Sequence, residues 1–180
     1  MSTSSLSEFD INPAFGLTQT ADMRARAGNF YLEVAGVPGG CKIKGQEGKT
    51  ALYGIAYTIV SPRDAATGLA TGKRIHGPLD VVGKVDKSSP LLFKKLAENA
   101  DLASVKVHCW SAVTLAEGAS SGGSKEIYKI ELINAVVTAF RHFVHHDGTL
   151  CFIASFTYKA ITLTWVDGGI EGSDDWLSAT

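Results

Sequence analysis

The sequence predicts a mainly β fold that carries one short α-helix. Most apolar segments are short, alternate between apolar and polar positions, and end at Gly, Pro, Asn or Asp. One stretch has apolar residues at helical spacing, directly after a Ser-Ser-Pro start signal. With 180 residues, 45% of them hydrophobic and 19% charged, the chain can bury the core of a single domain.

The first 28 residues are small and polar and show no sustained period. We expect a flexible N-terminal arm over residues 1–28 and a folded domain over residues 29–180. Isolated apolar residues in the arm could dock on a partner: Phe9, Ile11, Phe15 and Leu17.

The first half of the domain predicts strands at residues 29–36 and 50–60, with turns around a short strand between them. A strand at residues 74–85 is interrupted by Gly77-Pro78, which indicates a bulge or an edge position. Residues 61–73 form a loop longer than most hairpin connections, and loops of that length are usually functional or disordered.

The helix is predicted to begin with Ser89 as the N-cap and Pro90 in the first helical position. Leu92, Phe93 and Leu96 give it one apolar stripe. About ten residues make only three turns, so packing on the sheet must hold the helix.

The second half predicts three longer strands. Residues 104–115 alternate regularly, and residues 127–144 and 151–166 are joined through an Asp147-Gly148 turn.

Several of these strands are apolar on both faces, which one small core does not need. Residues 51–57 and 132–140 are examples. In the last strand one face is predicted to carry Phe152, Ala154, Phe156 and Tyr158, and the other Ile153, Ile161, Leu163 and Trp165. The pattern favours a subunit interface. The alternative is that loops and the N-terminal arm cover the second face.

Composition excludes several classes of function. A net charge of −1 gives no basic excess for binding nucleic acid. No apolar run approaches the length that spans a bilayer, and the N-terminus has no secretory signal pattern. Three cysteines without CxxC spacing predict reduced thiols in the cytoplasm.

The sequence contains no recognisable group of catalytic residues. No phosphate-binding Gly loop and no nucleophile elbow occur. His142, His145 and His146, beside Asp147, are the strongest metal-ligand candidates, although a solvated turn explains them better. Cys41 and Cys109 are interpreted as inert thiols. No cofactor is expected. Since no catalytic motif is found, a structural or binding protein is favoured over an enzyme.

Residues 73–99, KRIHGPLDVVGKVDKSSPLLFKKLAEN, resemble the signature region of the hemolysin-coregulated protein (Hcp) family. That region combines a histidine-containing strand, a run of the type PL-V-K-IDKSSP-LF-AL and a short helix. Three further stretches agree in the same order: FYLEVAGVPGGCKIKGQ at 30–46, YKIELINAVVTAF at 128–140 and ITLTWVDGGIEGSDDW at 161–176. The resemblance covers residues 29–176; the arm at 1–28 is longer than the usual family start.

The resemblance implies a single antiparallel β-barrel with one flanking helix. It also implies a homo-hexameric ring with a wide lumen, and stacking of such rings into the inner tube of the type VI secretion apparatus. The implied partners are the spike, the contractile sheath and effector proteins carried in the lumen, with no nucleic acid and no membrane insertion. The protein would be cytoplasmic before firing and secreted without a cleaved signal peptide.

The resemblance also assigns roles to two groups of residues. The helix residues Leu92, Phe93 and Leu96 are expected to point into the barrel. The loop that reaches the adjacent ring is expected to include Ser61, Pro62, Arg63, Asp64, Thr71 and Lys73. Two alternatives stay open: a phage-type tail tube protein, and a metal-binding β-barrel that uses His142, His145 and His146.

Overall fold

The structure, a computed structural model, describes residues 29–112 and 124–176. The N-terminal arm predicted at residues 1–28 is outside these ranges. Within them the chain forms nine strands and one helix, in the order β1 (Phe30–Val34), β2 (Thr50–Ala56), β3 (Ile59–Val60), β4 (Ile75–His76), β5 (Leu79–Lys84), α1 (Ser88–Ala97), β6 (Leu102–Ala112), β7 (Ser124–Val144), β8 (Leu150–Trp165) and β9 (Ile170–Asp175).

Six of the strands close into an antiparallel barrel. Their order is β5-β2-β1-β6-β7-β8, and β5 pairs again with β8 from Leu79 opposite Phe156 to Lys84 opposite Cys151. Strand β9 pairs with the last part of β8, Ala160–Trp165. Strands β3 and β4 form a separate two-stranded sheet. The predicted mainly β fold, an antiparallel barrel with one short helix, is therefore confirmed.

Alternating residues of the barrel strands fill the interior. The largest fully buried side chains are aromatic or branched: Phe152, Phe156, Leu52, Leu79, Leu92, Leu102, Ile130, Leu132 and Ile161. Gly83 on β5 leaves room for the Phe152 ring, because a Cβ at Gly83 would lie 2.9 Å from Phe152 Cε1. Close packing of this kind is what a small barrel interior requires.

The helix begins at Ser88 with Lys87 as its N-cap, so the predictions of Ser89 as the N-cap and Pro90 as the first helical residue are wrong. Asp86, just before the helix, bonds to its first turn. Asp86 Oδ1 accepts the Ser88 N–H at 2.8 Å, and Ser89 Oγ accepts the Asp86 N–H at 3.2 Å. This exchange satisfies a free donor at the helix start, as a capping box does. Asp86 Oδ2 also accepts the Gly40 N–H at 2.6 Å, which ties the helix start to the turns after β1.

The helix packs mainly on β7. Leu92 is 0% exposed in the core, and Leu96, one turn later, is half-buried against it. Phe93 is 58% exposed, so the expectation that it points into the barrel is wrong. Adjacent helical residues are about 100° apart, so Leu92 and Phe93 cannot share a narrow apolar stripe.

The predicted strand at residues 50–60 divides into two elements. Strand β2 stays in the barrel and ends at Ala56, while β3 leaves the barrel and pairs with β4. The short strand expected between β1 and β2 is also wrong, because residues 35–49 form turns apart from a single bridge between Val34 and Val37.

The two long strands change the face on which they bury side chains. On β7 the buried positions run through Leu132 and then Ala135, with Asn134 between them at φ 49°. On β8 they run through Tyr158 and then Ile161. Ile161 therefore lies in the same core as Tyr158, and the prediction that they face opposite ways is wrong. Asn134 adopts this left-handed backbone conformation more easily than most residues would, and this permits the change of buried face on β7.

Candidate functional site

The barrel has two different ends. Strand β1 starts at one end, where the antiparallel β2 finishes and β3 and β4 project; we call it the extension end. The opposite end carries α1 and the turn between β7 and β8, and we call it the helix end.

The projection at the extension end, residues 57–78, is here named the β3–β4 extension. Its two-residue strands pair Ile59 with His76 and Val60 with Ile75. Ile59 packs against the barrel core and His76 is buried, whereas Val60 and Ile75 are exposed. One face of the extension is thus held on the barrel and the other is free in the subunit.

The tip of the extension, residues 61–73, is an ordered hairpin-like turn. Arg63 bridges to Ala70, and the Asp64 N–H donates to the Leu69 carbonyl at 2.8 Å. The Thr71 N–H donates to the Pro62 carbonyl at 3.0 Å. The loop that the sequence predicts is present, and it has its own internal hydrogen bonds.

Three charged residues, Arg63, Asp64 and Lys73, were predicted for contacts between rings, and two of them, Arg63 and Asp64, are bonded within the tip. Asp64 Oδ1 accepts the Ala66 N–H at 3.0 Å and the Thr67 N–H at 2.7 Å, and it also bonds the Thr67 hydroxyl. These donors hold the pKa of Asp64 below its usual range. Arg63 Nη1 donates to the Gly68 carbonyl at 3.1 Å. Both side chains therefore give the tip its shape.

The remaining predicted loop residues lie around this turn without a shared site. Ser61, Thr71 and Lys73 are exposed and Pro62 is half-buried. Sequence reasoning missed Leu69, which the turn displays with 68% of its surface exposed. The available signal was one large apolar residue in an otherwise small and polar loop, AATGLATG.

Exposed apolar side chains also occur at the helix end. Val144 and Leu150 pair across the last rung of β7 and β8, and both are exposed. Phe93 on α1 and Ile43 in the turns after β1 are exposed as well. The two barrel ends thus present different apolar surfaces.

The histidines near the β7–β8 turn do not assemble a metal site. His142 packs edge-on against Phe140, while the His145 and His146 rings lie 4.0 Å apart beyond the end of β7. His145 Nδ1 lies 3.0 Å from Asp147 Oδ1. Among the described residues, no three His, Cys, Asp or Glu side chains are grouped so that they could hold a metal ion.

The buried thiols are poor nucleophiles. Burial raises the pKa of Cys109 to about 11, and burial likewise raises that of Cys151. A thiol must ionise to attack or to bind a metal, so neither is suited to catalysis near neutral pH. In the part of the chain that the structure covers, no helix has the length and apolar character needed to cross a membrane.

A protein-family model described as "Type VI secretion system effector, Hcp" matches residues 31–165. The chain belongs to the Hcp family. A curated relative, the "Major exported protein" of Pseudomonas aeruginosa, is 29% identical over 169 residues, which cover 90% of this chain and 88% of the relative.

Solved structures of Hcp proteins share the fold. The Hcp1 protein of E. coli EAEC 042 aligns with a TM-score of 0.71 and 26% identity, covering 82% of this chain and 97% of that one. The secreted protein Hcp3 of Pseudomonas aeruginosa aligns with a TM-score of 0.67 and 22% identity, covering 83% and 99%.

Proposed function

We propose that this chain is the structural subunit of a type VI secretion inner tube, in which six copies form a ring and rings stack. Membership of the Hcp family supports the secretion system. Family membership also favours a structural role over an enzymatic one.

The observation that carries the stacking is the difference between the two barrel ends. The extension end displays Val60, Leu69 and Ile75, and the helix end displays Phe93 and Val144. A contact between two unlike surfaces at opposite ends does not close on itself, so it generates an open-ended assembly. We infer that each ring inserts its extensions into the helix end of the next ring.

In this contact we expect the tip to act mainly through apolar packing and less through charged side chains. Arg63 and Asp64 are used in the turn, which leaves Ser61, Thr71 and Lys73 as the exposed polar residues of the predicted loop. Exposed polar pairs contribute roughly 0–1 kcal/mol each. Burial of Leu69 should therefore contribute more to the free energy of stacking than these pairs do. Stacking should then depend strongly on concentration and only weakly on salt.

Export fits the same proposal. The relative's name, "Major exported protein", supports release of this chain from the cell. The proposed partners are the spike, the contractile sheath and effectors held in the lumen, and the chain would be cytoplasmic until the tube is fired.

The test is to replace residues 61–72 with an Asn-Gly turn in the full chain. We expect six-membered rings to persist and tubes to disappear in negative-stain images, because the barrel does not depend on the tip. Ala65→Ser is the matched control, since Ala65 is exposed in the same tip. Tubes that form normally from the shortened chain would refute the role of the tip.

A further inference from the structure

A polar cluster joins the base of the β3–β4 extension to the C-terminal strand β9. Arg74, just before β4, makes a two-pronged contact with Asp174: Nε lies 2.5 Å from Oδ2 and Nη2 lies 2.7 Å from Oδ1. Both side chains are partly buried. The Arg74 hydrogen bond is the main reason that the pKa of Asp174 lies below its usual range. Paired N–H donors on one carboxylate fix orientation as well as charge.

His76 adds three contacts at the same place. Its side chain is 1% exposed, and its ring stacks on Trp176 with centroids 5.4 Å apart and planes 20° apart. Nδ1 lies 3.3 Å from Tyr158 Oη on β8. Nε2 lies 3.2 Å from Asp174 Oδ2, within ion-pair distance but without the alignment of a hydrogen bond.

These contacts matter because they hold the leg of the extension that returns to the barrel. It leaves the barrel after β2 and returns through Gly77 and Pro78, and the Gly77 N–H donates to the Thr58 carbonyl at 2.7 Å. A two-stranded sheet by itself is only marginally stable. Tyr57 and Ile59 pack the outgoing leg of the extension against the core, and the side chains of Arg74 and His76 hold its returning leg.

We propose that Asp174 and Trp176 form a latch that fixes the direction of the extension by holding Arg74 and His76. This inference rests on the proposed function, because the latch would set where Leu69 meets the next ring. Asp174 is then a positioning residue for stacking, although it lies outside the stacking surface itself. The C-terminal strand β9 thereby controls a contact made at the tip.

Asp174→Asn keeps the shape of the side chain and removes its charge, while Glu171→Gln makes the same change at an exposed position of β9 and serves as the control. Hydrogen bonds to charged groups are stronger than those between neutral groups. Losing one should lower the equilibrium constant for the fixed position of the extension by roughly a factor of ten. We expect the subunit concentration for half-maximal stacking to rise roughly tenfold in Asp174→Asn. Arg74→Lys, which keeps the charge but loses the two-pronged geometry, should show a similar rise.

The direction of the extension can be measured independently of stacking. Spin labels at Ala65→Cys and Lys87→Cys report the distance from the tip to the barrel, with Cys41→Ser removing the accessible native thiol. Labelled subunits are diluted among unlabelled ones so that each distance is measured within one chain. We expect a narrow distance distribution in the parent and in Glu171→Gln, and a broad one in Asp174→Asn.

The outcomes separate the latch from the proposed function. A broad distribution with weakened stacking supports both. A broad distribution with unchanged tubes supports the latch and refutes the role of the tip in stacking. A distribution that stays narrow in Asp174→Asn overturns the latch, whatever the tubes do. If the parent forms no rings, the proposed function fails while the distance measurement still decides the latch.

Discussion

Leu92→Ala should destabilise the subunit far more than Phe93→Ala, although the two residues are neighbours on α1. Leu92 is fully buried in the barrel core, and Phe93 is mostly exposed. The Leu92 change removes three buried carbons at about 0.8 kcal/mol each. The cavity left behind raises the total to about 3–4 kcal/mol.

The assay is thermal unfolding followed by circular dichroism at two protein concentrations. For a chain of this size each kcal/mol lowers Tm by about 2–4 °C, so Leu92→Ala should lower it by roughly 6–15 °C. This loss should be the same at both concentrations, because the contact lies within one subunit. Phe93→Ala should change stability by less than about 0.5 kcal/mol in dilute subunits.

Two results would refute this reasoning. Equal losses of Tm for Leu92→Ala and Phe93→Ala in dilute solution would mean that the assigned helix face is wrong. A loss for Leu92→Ala that vanishes on dilution would mean that Leu92 belongs to a contact between subunits. An effect of Phe93→Ala that grows with concentration agrees with the exposed apolar surface of the helix end.

Three further predictions concern stability. Asp86→Ala removes the carboxylate that accepts the partly buried Ser88 and Gly40 N–H groups, so chemical denaturation should show a loss of about 2 kcal/mol in the free energy of unfolding. Gly83→Val places carbon atoms against the Phe152 ring and should lower Tm by overpacking worth about 1–3 kcal/mol, with no loss if the ring moves freely aside. The pKa of Asp174 is lowered in the folded state, so the stability it gives is complete above its unfolded pKa and is lost as pH falls through the folded value. An acid titration should therefore show less acid destabilisation in Asp174→Asn than in the parent, and identical curves would contradict the Arg74 pairing.

Much of the strand content could be predicted because alternation and turn residues are local signals. The regular pattern predicted at residues 104–115 corresponds to β6 as far as Ala112, and residues 113–115 lie outside the described ranges. The Asp147-Gly148 turn joins β7 to β8. The break at Gly77-Pro78 separates β4 from β5. Each of these depends on the two-residue period of a strand or on backbone conformations that Gly and Pro favour.

The wrong predictions of strand ends and buried faces concern features that depend on the tertiary structure. Nothing local marks Ala56 as the point where β2 leaves the barrel, since apolar residues continue to Val60. The change of buried face beside Asn134 reverses the assignment of the residues that follow, because side chains alternate with a period of two. Part of the apolar second face inferred for β8 therefore belongs to the core.

The stacking site was predicted only as a loop and a set of polar residues. The bonding of Arg63 and Asp64 inside the tip depends on the folded turn, and so does the display of Leu69. The pairing of Arg74 with Asp174 joins residues 100 positions apart, a distance over which sequence patterns give no signal. Barrel closure between β5 and β8 is likewise non-local, and only the family resemblance implied it.

We propose that this subunit forms six-membered rings that stack through unlike ends. The most direct test is light-scattering mass on a sizing column, with negative-stain images of the same peak. We expect a mass about six times the 19.1 kDa of one chain, with open six-fold rings that join end to end as concentration rises. A single 19.1 kDa species at every concentration, with no rings in the images, would contradict it.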